Sequence, residues 1–88
     1  MMIGACEELR QICMECAKRY VTVVERDGRI IVYADLMLDL FKSSTTRRVV
    51  ESHVARCAAE LAAALSRKVE RVGWQEVNGK MRYFCAVV

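Results

Sequence analysis

"VERVGWQEVNGKMRYFCAVV", residues 69–88, is the stretch from which the fold is read. Asn78-Gly79 is the preferred pair for a two-residue type I′ turn, whose twist matches that of the strands it joins. With that turn fixed, the register follows. Val77 opposes Lys80, Gln75 opposes Arg82, Trp74 opposes Tyr83, and Val72 opposes Cys85. One face of the ribbon then carries Val72, Trp74, Met81, Tyr83 and Cys85. The other carries Arg71, Gly73, Gln75, Val77, Lys80 and Arg82, with Phe84 lying over Gly73. A one-residue slip would scramble these sets, so the division into an apolar and a basic face specifies the pairing. Trp74 and Tyr83 fall on the apolar face, which favours core packing over base stacking by these rings.

Upstream, nothing between Thr45 and Lys68 breaks a helix, and Ser43 or Ser44 can cap its start. On a helical wheel Val50, Val54, Cys57, Ala58, Leu61 and Leu65 form a core stripe. The opposite side collects Thr45, Arg48, Ser52, Ala55, Arg56, Ala59, Ala63 and Ser66, with Val49 and Arg67 at its edges. Glu51 and Glu60 lie on the flanks, so the outward face is basic and short-chained with no acid. Such a face suits close approach to a surface. In a DNA major groove, arginine can donate a bidentate pair to guanine while Ser and Thr reach phosphates or base edges. The alternatives are a solvated face, or a helix–helix contact through the small residues of 45–68.

The chain before this helix holds shorter signals. Residues 5–18, "ACEELRQICMECAK", space Cys6, Leu9, Ile12, Cys13 and Cys16 as one helical face, with acids at the start and Lys18 at the end. "YVTVVERDGRIIVYA", residues 20–34, reads as a hairpin around a three-residue loop, Arg26-Asp27-Gly28, with Gly at the left-handed position, or as a strand at 29–33 alone. Asp35 is a good N-cap for a short helix, "LMLDLF", with Leu36, Leu40 and Phe41 inward.

Charge is unevenly distributed. Residues 1–44 carry six Lys/Arg and seven Asp/Glu, whereas residues 45–88 carry eight and four. A near-neutral half joined to a basic half points to a polyanionic partner. The chain is short enough for one domain, 1–88, and no apolar run approaches the ~18 residues that would cross a bilayer. No basic-then-apolar leader pattern opens it, so a cytoplasmic, intracellular protein is expected.

The five cysteines, Cys6, Cys13, Cys16, Cys57 and Cys85, cannot all pair within one molecule. One Asn, two Gln and an excess of Arg over Lys fit a thermophile, in which intracellular disulfides occur, so that pairing stays open. Cys13-x2-Cys16 with His53-x3-Cys57 has the letters of a zinc site, yet the cysteines lie on apolar helical stripes, and no metal or other cofactor is expected. His53 and Cys57 are one turn apart on one helix, a poor nucleophile pair. With no paired carboxylates, glycine-rich phosphate loop or second histidine, no enzyme and no small-molecule substrate are indicated.

Helix, strand, short helix, serine turn, basic helix and two-stranded ribbon: this order resembles the winged helix-turn-helix family, in particular the small single-domain regulators of archaea and their viruses. "ADLMLDLFKSSTTRRVVESHVARC", residues 34–57, looks like its second helix, turn and recognition helix, and residues 69–88 look like its wing. The resemblance implies an α+β winged helix-turn-helix fold of three helices, a C-terminal two-stranded wing and one or two extra strands after the first helix. It implies a transcriptional regulator, a homodimer binding double-stranded DNA sequence-specifically, with the recognition helix in the major groove and the wing on the backbone. Thr45, Thr46, Arg48, Val49, Ser52 and Arg56 correspond to base-reading positions, and Lys80, Arg82 and Arg71 to wing contacts. Arg47 starts toward the core but sits so near the helix start that it is expected to reach past it. The competing expectation is an interaction module that dimerises through helix 45–68 without reading DNA.

Overall fold

Two type I′ turns organise the molecule. In a computed structural model that describes residues 20–88, Asp27-Gly28 and Asn78-Gly79 both adopt positive φ throughout (53° and 78°; 51° and 79°). Each turn closes an antiparallel hairpin: β1 (Val21–Arg26) with β2 (Arg29–Met37), and β3 (Val69–Val77) with β4 (Lys80–Val87). The two hairpins join through β2 and β4 into one four-stranded antiparallel sheet of order β1-β2-β4-β3. Between them lie α1 (Leu38–Phe41), a single turn, and α2 (Ser44–Leu65).

This overturns the winged-helix fold. The described residues hold four antiparallel strands and two helices, only one of them long. The predicted wing is not a free ribbon, because β4 pairs with β2 along its length, from Ile30↔Val87 to Met37↔Lys80. Asp35 is not a helix cap: β2 runs on through it to Met37, and its carboxylate faces Arg82 across the sheet. The expected first helix at 5–18 lies outside the described residues.

Strand alternation builds the core. Val21 and Val23 on β1, Ile30, Val32, Ala34 and Leu36 on β2, and Tyr83, Cys85 and Val87 on β4 point to one face and are buried. α2 covers that face with Val50, Val54, Cys57, Ala58, Leu61 and Ala62, all buried. Burying each Val or Leu contributes roughly 1.5–3 kcal/mol. Five of the six residues of the stripe read from the sequence are in this set, and Leu65 packs at its margin.

The helix ends have local causes. Ser43 caps the start, its Oγ accepting the Thr46 N–H at 3.3 Å. At the other end Ser66 adopts the left-handed conformation (φ 54°), so that the Arg67 N–H donates to the Ala62 carbonyl at 2.8 Å. That is the Schellman arrangement, with serine where glycine is usual.

The β3–β4 register matches the sequence reading from Val77↔Lys80 through Trp74↔Tyr83 and then departs from it. A bulge between Arg71 and Gly73 pairs Arg71, not Val72, with Cys85. Gly73 takes φ 106°, which an L side chain rarely adopts. Because one residue is left unpaired, Arg71 moves to the helix-bearing side and Val72 to the other.

Candidate nucleic-acid interface

The bulge brings Arg71 beside the outward face of α2. Arg48, Glu51, Ser52, Ala55, Arg56 and Ala59 from the helix and Arg71 from β3 line one open groove of about 480 Å³. Three arginines thus converge from two elements on a trough lined partly by small side chains. Glu51 is the one acid among these residues, and it is engaged: Trp74 Nε1 donates to its Oε2 at 2.6 Å. Trp74 is held in turn by Phe41, at 5.1 Å and nearly perpendicular, and by Tyr83, at 5.2 Å. The aromatic cluster therefore holds the groove's one carboxylate against the sheet.

The remaining predicted residues divide into three groups. Thr45 and Val49 are exposed on the same half of α2 as Arg48, with Val49 47% accessible. Thr46 and Arg47 have structural partners: Thr46 at the Ser43 cap, and Arg47 donating from Nη1 to the Phe41 carbonyl with its guanidinium 5.0 Å from the Phe41 ring centre. Arg47 thereby ties the end of α1 to the start of α2.

Lys80 and Arg82 lie elsewhere. Both alternate onto the sheet face opposite α2. Arg82 donates from Nε and Nη2 to the two oxygens of Asp35, and its guanidinium lies 4.1 Å from the Tyr33 ring centre and 6.0 Å from that of Phe84. The hydrogen bond from Arg82, foremost, holds the Asp35 carboxyl below its ordinary range, and the same bond raises Arg82. The expected single ridge of helix and hairpin cations is therefore divided over two surfaces, with Arg71 the one ribbon cation that joins the helix.

Cys13 and Cys16 of the zinc reading lie outside the described residues. Among the described residues no group of three or more His, Cys, Asp or Glu is arranged to hold a metal ion. Cys57 is disulfide-bonded, and the other described cysteine, Cys85, is a buried thiol whose pKa burial pushes up, the opposite of what a nucleophile needs. His53 packs against Tyr20 at 5.4 Å. Among the described residues no helix is long and apolar enough to cross a membrane.

Compared with family models, with curated proteins and with solved structures, the chain matches none of them.

Two features of the groove escaped the sequence reading. The engagement of Glu51 by Trp74 spans 23 positions and has no local signal. The bulge did have one: Gly73 inside an otherwise regular strand pattern marks a bulge or a close backbone approach.

Proposed function

We propose that this chain is a DNA-binding protein that holds duplex DNA against α2, with Arg48, Arg56 and Arg71 directed at the phosphate backbone. The observation that carries the reading is the convergence of those three arginines on one groove whose acid is bonded to Trp74. Cations gathered from a helix and a neighbouring strand match a partner with regularly spaced negative charge. Thr45, Val49 and Ser52, on the outward face of the N-terminal half of the helix, are the residues from which base readout and a regulatory role would come. Relative to the winged-helix scheme, Arg71 on β3 replaces the hairpin tip as the backbone contact beside the helix.

The test is binding of fluorescent duplex DNA followed between 50 and 200 mM salt. Replacing Arg48 and Arg71 together by alanine is expected to weaken binding to all sequences. It should also flatten the slope of log affinity against log salt by about 1.8, at 0.9 per phosphate contact. An unchanged slope refutes the groove. Selection from random duplexes then decides readout, with palindromic winners establishing a two-fold dimer and an unenriched pool excluding base recognition.

A second reading rests on Ala55 and Ala59, whose short side chains line the same groove and would admit a partner helix. Self-association that ignores DNA at low salt and is abolished by Ala59→Arg would establish it in place of the first.

A further inference from the structure

The sheet face opposite α2 is covered by no described element. Strand alternation places Tyr33 on β2 and Phe84 on β4 there as directly paired neighbours, their ring centres 5.8 Å apart. The Arg82 guanidinium carbon lies 4.1 Å from the Tyr33 ring centre, and its two bonds to Asp35 hold it there. Beside this plate a shallow groove of about 280 Å³ crosses all four strands, lined by Arg26, Ile31, Phe84, Val72 and Gln75. Its lining combines the apolar Ile31, Phe84 and Val72 with Arg26 on one edge strand and Gln75 on the other. Val72 is 48% exposed, turned to this side by the bulge.

We propose that this face binds the unpaired bases of single-stranded nucleic acid, one base stacking on Phe84 with its edge at Gln75 and an adjacent phosphate at Arg26. A flat ring with a polar rim joined to an anion has the chemistry that this lining complements. Alternation also places Arg29 and Lys80 on this face, so four cations stand against two carboxylates, Asp35 and Glu70, and Asp35 is already paired with Arg82. Aromatic rings and the guanidinium groups beside them are surfaces on which bases of any sequence stack, and the half-buried Phe84 ring supplies one here. The proposal deepens the DNA-binding reading, since it names a second form of the ligand. It uses other residues, so the two can fail separately.

The experiment compares three fluorescent probes of equal length: oligothymidylate, an abasic strand with the same phosphates, and a duplex. Wild-type protein is expected to bind oligothymidylate at least about fivefold more tightly than the abasic strand, as stacking of one base requires. Phe84→Leu keeps the strand's apolar cover but removes the ring, and it should erase that difference while leaving duplex binding unchanged. Gln75→Ala, at an exposed position, should weaken oligothymidylate binding by a smaller factor. Near-ultraviolet dichroism confirms that each variant is folded. Equal affinity for the oligothymidylate and abasic strands overturns the proposal, as does a folded Phe84→Leu protein with wild-type preference. A concentration-dependent dimer that Phe84→Leu dissolves, with no gain from bases, assigns the face to a second copy of the chain instead. Loss of duplex binding in the Arg48, Arg71 variant with the thymidylate preference intact leaves both sites standing. Failure of that variant to affect duplex binding removes the α2 groove alone.

Discussion

Replacing Gly73 by alanine isolates the backbone cost of the bulge on which both surfaces depend. A Cβ built at Gly73 meets nothing within 4 Å, so the substitution creates no clash. What changes is conformational: φ is 106°, beyond the left-handed region that L residues occasionally visit. Holding a side-chain-bearing residue there costs about 1–3 kcal/mol. Alanine also stiffens the unfolded chain, which offsets about 0.4–1 kcal/mol of that penalty. The net loss should be about 1–2 kcal/mol. Trp74, the chain's one tryptophan, adjoins the bulge and reports unfolding by fluorescence in urea. With a denaturant slope of about 1 kcal/mol per molar for a domain of this size, the midpoint should fall by about 1–2 M with the slope unchanged. Gly28→Ala is the control. Its φ of 78° lies closer to the left-handed basin, its Cβ also meets nothing, and its loss should be the smaller of the two. An unchanged or raised midpoint for Gly73→Ala would show that position 73 has ordinary strand geometry. Arg71 would then face away from α2, and the basic groove would lose one of its walls.

Two further perturbations follow from local geometry. Ser66→Gly relieves a left-handed serine at the end of α2 and should raise stability by about 0.5–1 kcal/mol, read as a higher urea midpoint. Asp35→Asn removes the charge that Arg82 pairs with; side chains 33% and 24% exposed make the pair worth about 1 kcal/mol at most. Because the folded carboxyl titrates below its ordinary value of 3.8, the wild-type advantage over Asp35→Asn should be constant from pH 7 down to about 5. It should then shrink as pH falls through the folded value, measured by urea midpoints at each pH.

What the sequence disclosed is what short-range chemistry controls. Asn78-Gly79 set the β3–β4 register from Val77 to Trp74, and Arg26-Asp27-Gly28 marked the first turn, though as a three-residue loop where Arg26 in fact pairs with Arg29 and only Asp27 and Gly28 turn. The period of Val50, Val54, Cys57, Ala58 and Leu61 gave the buried face of α2. What it withheld is non-local. Asp35 has the chemistry of a helix cap, but the β2–β4 ladder carries the strand through it and seats it opposite Arg82, 47 residues on. The β2–β4 pairing depends on no turn at all, so a ribbon that would be a free wing was indistinguishable from half of a sheet. The same ambiguity governed the cations. Alternation placed Lys80 and Arg82 on one face correctly, but that face is opposite the helix, and one extra residue in β3 separated Arg71 from them.

That extra residue links the two surfaces. β3 is an edge strand, so its irregularity disturbs only one ladder, and an edge is where a bulge is tolerated. Without the bulge, Arg71 would join Gln75 and Arg82 on the open face, and Val72 would lie over Cys85 on the helix side. The α2 groove would then hold two arginines with Glu51, a weak match for a polyanion, and the open groove would lose Val72 from its apolar lining. With it, one wall of each groove comes from adjacent residues of a single strand. A duplex held along α2 and an unpaired strand laid across the sheet would therefore be separated by no more than the thickness of β3. On the two proposed sites together, a junction between paired and unpaired DNA should bind more tightly than either form alone because the second contact is then intramolecular, and a junction that binds no better than its duplex arm in the same fluorescence titration would refute the coupling.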